Sequence, residues 1–164
     1  MLRTVVIAFV TLGLTVVNAA RAAEPDNTAL IKAMKSTKVT LQQGLTASQR
    51  EGRPISAKFE MEDGKLQLSI YVEKDGKFSE VIVDHVSGAV AKTEAITEGD
   101  DLADAKSQSA AMAKAKTDLK TAVSKAARTS AAISVVPDLK NSHPVATVVR
   151  VTNGTLQTVS QPLD

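Results

Sequence analysis

Four glycines, Gly52, Gly64, Gly76 and Gly88, recur every twelve residues, and between them apolar and polar residues alternate. No other stretch restricts the fold as strongly. Ile55, Ala57, Phe59 and Met61 interleave with Ser56, Lys58, Glu60 and Glu62. Leu66, Leu68, Ile70 and Val72 interleave with Gln67, Ser69, Tyr71 and Glu73. A period of two sends each set to its own side of a strand, so the pattern predicts an antiparallel meander with one apolar and one wet face. Asp63-Gly64 and Asp75-Gly76 are hairpin signals, because a tight hairpin needs positive φ and glycine supplies it at little steric cost. A third strand is expected over 77–84, with Phe78, Val81 and Val83 as core candidates. Phe78 and Val81 are out of phase, which predicts a bulge or twist near Ser79-Glu80. A short fourth strand is expected over 89–92.

Helices flank this meander. Asp26 or Asn27 is positioned to cap a short helix whose apolar side is Leu30, Ile31 and Met34. Thr40-Leu41-Gln42-Gln43 is a capping box, with Leu41 and Leu45 facing one way and a stop at Glu51-Gly52. Gly44 inside that helix costs about 1 kcal/mol against alanine, which points to close packing of its backbone on the sheet. From Asp101 to about Arg128 the chain is rich in alanine, lysine and serine and has neither glycine nor proline. Leu102, Ala105, Ser109, Met112, Lys116, Leu119, Val123 and Ala126 form a weak stripe, and a long connecting helix is expected there. Its few large apolar residues favour a connector over a coiled-coil partner helix.

The tail repeats the first half at an offset of seventy-eight residues. Leu41 meets Leu119, Leu45 meets Val123, Ile55 meets Ile133, Asp75-Gly76 meets Asn153-Gly154, and the cap Thr40 meets Asp118. Turn falls on turn and core on core. Val72 meets Arg150, which predicts a one-residue slip at the Asn141–Pro144 turn. The expected fold class is therefore α+β, two tandem helix-plus-antiparallel-meander repeats linked by a long Ala/Lys-rich helix. The expected organisation is a signal peptide over 1–22, a lead-in with a short helix over 23–39 and a first repeat over 40–92. A connector helix over 93–117 and a second repeat over 118–164 follow.

The leader is read from Arg3, the apolar run Val5–Val17, and Ala20-Arg21-Ala22, which satisfies the small-x-small rule for cleavage after Ala22. Ala19 is a second acceptable site. The run is shorter than the roughly twenty residues a spanning helix needs, so no membrane span is expected after cleavage, and the rest belongs in the periplasm or outside the cell. Losing Arg3 and Arg21 leaves equal numbers of basic and acidic residues, and a nucleic-acid partner, which wants a basic face, is not expected.

Chemistry is sparse. There is no cysteine, which excludes disulfides and thiolate ligands. His85 and His143 are the only histidines, and nothing beside them has zinc-ligand spacing. No nucleophile elbow or phosphate-cradling loop is present. The Asn153-Gly154-Thr155 sequon falls in a tight turn and is incidental. No catalytic residue, metal or cofactor is expected.

Gly76 to Val90, Gly-Lys-Phe-Ser-Glu-Val-Ile-Val-Asp-His-Val-Ser-Gly-Ala-Val, resembles the PepSY domain. That family's ending, valine-aspartate, a few residues, threonine-glycine and an apolar residue, is matched by Val83-Asp84 and Ser87-Gly88-Ala89-Val90, with serine in place of threonine. The likeness covers Thr40 to Lys92, and the second half is similar to the companion repeat of secreted PepSY proteins. It implies a small secreted or membrane-anchored α+β module without catalytic residues, whose suggested family role is to inhibit or modulate peptidases near the cell surface. Asp84 and Gly88 carry over as turn-forming positions. The expected partner is a peptidase or another envelope protein, gripped through a sheet edge or groove. A small-ligand or cation sensor using Glu60, Glu62, Glu73 and Asp75 is the alternative. The residues leave the oligomeric state open.

Overall fold

Residues 27–164 are described by a computed structural model, in which the alternating segments build one seven-stranded antiparallel sheet. The leader over 1–22, with Ala19 and Ala22, lies outside the described residues. In chain order the elements are α1 (Asn27–Met34), α2 (Leu41–Ala47), a 3-10 turn over Ser48–Arg50, β1 (Arg53–Glu62), β2 (Lys65–Lys74), β3 (Lys77–Val83) and β4 (Val90–Ile96). Then come α3 (Gly99–Lys114), α4 (Leu119–Ala127), β5 (Ala131–Lys140), β6 (His143–Thr152) and β7 (Thr155–Pro162). The strand order is β4-β3-β2-β1-β5-β6-β7.

Hairpin chemistry sets the registers. Asp63-Gly64, Asp75-Gly76, Asn141-Ser142 and Asn153-Gly154 all have positive φ at both central residues, the tight-turn form whose twist suits flanking strands. Ala57 opposes Ile70 in the first half and Val135 opposes Val148 in the second. Ile70 opposes Val81, and Val148 opposes Val159. The backbone tie between helix and strand end recurs at the same offset. The His85 carbonyl accepts from the amides of Lys38 and Val39, and the Leu163 carbonyl from those of Lys116 and Thr117. The halves join where β1 meets β5, and there Ala57 opposes Val135.

The main core lies between one face of the sheet and α1, α2 and α4. Leu41, Leu45, Leu68, Ile70, Val72 and Val81 from the first half form one cluster with Leu119, Val123, Val135, Val148 and Leu163 from the second. Helix α2 is held by the capping box: the Thr40 hydroxyl accepts from the Gln43 amide, and the Gln43 side chain accepts from the Thr40 amide.

Several expectations are corrected. The bulge is not at Ser79-Glu80, where β2–β3 pairing runs unbroken from Lys74–Lys77 to Leu68–Val83. It lies between Pro54 and Ser56, and again between Ala132 and Ser134. The extra residue turns Ile55 away from Ala57 and Phe59, to pack with Tyr71 and Ala105 on the opposite face. Phe78 packs there too, which is why it was out of phase with Val81. No slip occurs at Asn141–Pro144: Arg150 opposes Ala132 as Val72 opposes Pro54. Arg150 keeps that place by donating from Nη1 to the carbonyl of Ala126, at 2.6 Å, near the end of α4.

The long helix expected over 101–128 is two helices. The amides of Lys116 and Thr117 are bound to Leu163, outside any helix, and Asp118 Oδ1 accepts from the Thr121 amide at 2.7 Å to start α4 afresh. β4 extends to Ile96, so the stretch over 93–117 opens as strand and becomes helix only at Gly99. Finally, the predicted wet face is partly covered, because α3 crosses it.

Candidate functional site

The first feature is the turn over Asp84–Gly88. Asp84 Oδ1 accepts from the amides of Val86 (3.2 Å) and Ser87 (2.6 Å) and from the Ser87 hydroxyl (2.7 Å). The Gly88 amide donates to the Asp84 carbonyl, and Gly88 has φ +76. These bonds favour the ionised form and hold the Asp84 carboxyl below its ordinary range, the Ser87 amide contributing most. His85 follows. Its carbonyl also accepts from the Thr37 hydroxyl at 2.8 Å, and its Nδ1 is buried with no hydrogen-bond partner among the described residues. An open groove of about 720 Å³ borders Asp84 and His85 and runs past Ser36, Glu62 and Lys65.

The second feature is the polar row under the start of α3. Tyr71 donates to Asp101 Oδ1 at 2.7 Å, and the Ser69 hydroxyl donates to Glu80 Oε1. Burial, the Asp101 bond and the neighbouring carboxylates Glu80 and Glu60 push the Tyr71 hydroxyl well above the tyrosine range. Burial raises Glu80 as well, with Glu60 and Asp101 adding to it against the Ser69 bond. Sequence reasoning placed Ser69 and Tyr71 on a wet face, gave Glu80 no side of the sheet, and missed this cluster. The only clue was a lone tyrosine on the polar side of an alternating strand.

The acids proposed for a cation do not converge. Glu73 pairs with Arg53 and accepts from the Ser109 hydroxyl at 2.9 Å, contacts that lower its carboxyl. Glu60 pairs with Lys58 at 2.8 Å. Glu62 and Asp75 sit at opposite ends of β2. Among the described residues no group of three or more histidine and acidic side chains is placed to hold a metal ion. His143 Nδ1 lies 3.6 Å from Asp164, on the far half of the sheet from His85.

The third feature is the pair of sheet edges. β4 ends the sheet on one side, and six of its seven residues are exposed. β7 ends it on the other, eight residues without a charge. An outermost strand presents unpaired N–H and C=O groups to any extended chain. Among the described residues no helix is long and apolar enough to cross a membrane.

Compared with models of protein families, with curated proteins and with solved structures, the chain matches none of them.

Proposed function

We propose that the chain is an exported, non-enzymatic protein built from two PepSY-type repeats, and that it modulates or inhibits a peptidase or holds another envelope protein. The partner contributes an extended segment, taken onto the outer edge of β7. One observation carries the reading: β3, whose pairing registers match those of β7, already bears β4 as an added antiparallel strand on the corresponding edge. The same backbone geometry at β7 ends the sheet. Main-chain hydrogen bonds along such an edge supply affinity, and alternate side chains supply selectivity. Leu156 and Val159, both half-buried, would flank the added strand on its two faces. The resemblance at Val83–Val90 supports the family in this reading, and the leader expected over 1–22 supports the compartment.

The test uses the chain without its leader as bait in envelope extracts, followed by hydrogen exchange on the captured complex. A peptidase or another envelope protein is expected, with slowed exchange over Thr155–Pro162. Capture of nothing, or a partner that leaves β7 exchange unchanged while deletion leaves extracellular proteolysis unaltered, sinks the reading.

A further inference from the structure

The two edges differ in one respect that bears on what each can pair with. β7 carries no charge to select a register, whereas β4, Val90-Ala91-Lys92-Thr93-Glu94-Ala95-Ile96, carries one lysine and one glutamate placed symmetrically about Thr93. Alanines 91 and 95 flank them. Read backwards from Thr93, the strand is its own charge complement.

We propose that β4 is a self-recognition edge, through which a second copy of this chain docks antiparallel about a two-fold axis at Thr93. In that arrangement Lys92 of each copy lies opposite Glu94 of the other, Thr93 faces Thr93, and Ala91 faces Ala95. Directly opposed residues share a face in an antiparallel pair, and opposite charges so placed attract. Lys92 and Glu94 already project to one face, with Nζ 2.7 Å from Oε1 within a single copy. The dimer sets two such pairs side by side with signs alternating. The contact is isologous, so each favourable pair occurs twice.

The alternatives are penalised by the same two residues. Sliding the copies by two positions, the smallest shift that keeps like faces together, sets Lys92 against Lys92 in one direction and Glu94 against Glu94 in the other. Parallel pairing sets both like charges together. A slip of one residue opposes the two faces of the sheet. Only the Thr93-centred register is complementary.

The surroundings permit it. β4 terminates the strand order, and Val90 through Ala95 are exposed. The pairing of β4 with β3 is irregular where Val83 opposes Val90 and Ile82 opposes Lys92. Ala91 is the extra residue there, so regular pairing with β3 runs only from Lys92 to Ile96, and the contact centred on Thr93 is short, weak and concentration-dependent. The inference does not depend on the role proposed for β7.

Sedimentation and light scattering over a concentration series test it on the leaderless chain, with Lys92→Glu, Glu94→Lys, the double substitution, and an equimolar mixture of the two single variants. The wild-type chain is expected to self-associate. Each single variant, which replaces two attractions by two repulsions, is expected to weaken association roughly tenfold or more. The double variant restores it. The mixture of singles forms a heterodimer, because the two acids of one copy then face the two lysines of the other. Substitutions at these exposed positions leave the fold intact, which circular dichroism verifies. A wild-type chain that stays monomeric throughout, or single variants that associate as it does, overturns the proposal. So does a mixture no more associated than its components.

Discussion

Gly44 of α2 lies against Leu68 of β2 so closely that a β-carbon at position 44 would stand 2.6 Å from Leu68 Cδ2 and 3.2 Å from its Cγ. In the second half the corresponding positions are Ala122 and Ala146, both fully buried. Helix meets sheet in both halves, and the volume is divided differently: none plus leucine in one, alanine plus alanine in the other. Gly44→Ala gains about 1 kcal/mol of helix propensity and incurs about 1–3 kcal/mol of overlap, so it is expected to destabilise by about 1 kcal/mol. Leu68→Ala alone is expected to cost about 2–5 kcal/mol through the cavity it leaves. The double variant reproduces the second half and should cost less than the sum, by about 1 kcal/mol in a denaturant-unfolding cycle. Strict additivity would show that the contact does not constrain α2.

Tyr71 is the only tyrosine in the chain, and there is no tryptophan, so its ionisation can be followed without interference. Its native value is raised by burial and by Asp101. An unfolded tyrosine ionises near pH 10. A folded value above the unfolded one contributes stability that is complete below about pH 10 and is lost as alkali ionises the unfolded chain. Tyrosinate absorbance is therefore expected to appear together with unfolding, and not at pH 10 in the native protein. Tyr71→Phe removes the bond to Asp101 and should cost about 1 kcal/mol at neutral pH. Tyrosinate formation near pH 10 with the fold unchanged would contradict the placement of Tyr71 under α3.

Glu73 and Glu80, both half-buried, should respond to pH in opposite directions. Arg53 and Ser109 lower the Glu73 carboxyl, so its contribution is present above the unfolded value near 4.3 and disappears as pH falls through the folded value. Burial raises Glu80, whose contribution is complete below about 4.3 and is lost as pH rises through its folded value. Glu73→Gln is expected to lower the unfolding midpoint at pH 7, with the gap closing in acid. Glu80→Gln keeps a carbonyl oxygen for the Ser69 hydroxyl and removes the desolvated charge, so it should raise the midpoint at pH 7 and converge with wild type in acid. Equal signs at pH 7 would refute the assignment.

The meander, its hairpins and the capping box at Thr40 were legible in the sequence because each is a local signal: alternation, Asp-Gly or Asn-Gly pairs, threonine three residues before glutamine. The α+β class followed from them. What was not legible depends on contacts far apart in the chain. The bulge at Ile55 cannot be seen in an alternation that is perfect on paper, since the strand is irregular only where it pairs with β2. Between α3 and α4 the cap at Asp118 was readable from its offset with Thr40, whereas the ties of the Lys116 and Thr117 amides to the Leu163 carbonyl were not. The seat of α3 on the polar face was hidden because it relies on small residues, Ala105 and Ala111, and on hydrogen bonds from Tyr71 and Ser109 instead of a broad apolar stripe. Of the candidate site, the turn at Asp84 and Gly88 was readable as a motif. The cluster around Tyr71 was not, because Asp101 arrives from a separate element.

Gly88 takes φ +76 in the turn that leads β3 into β4. A β-carbon there would meet Val39 Cγ2 at 3.5 Å, an ordinary contact, so any penalty comes from the backbone and not from crowding. Left-handed conformation costs an L-residue roughly 1–2 kcal/mol, and asparagine tolerates it better than alanine. Gly88→Ala is thus expected to destabilise by about 1 kcal/mol and Gly88→Asn by less. The loss should be local. The turn positions β4, which is held to the rest of the fold mainly by its pairing with β3, so amide exchange should quicken over Val90–Ile96 while β1 and β2 keep their protection. Asp84→Asn retains an oxygen acceptor for the Val86 and Ser87 amides and should disturb β4 less than Asp84→Ala does. Uniform loss of protection across the sheet in Gly88→Ala would show instead that β4 and the core unfold as one unit.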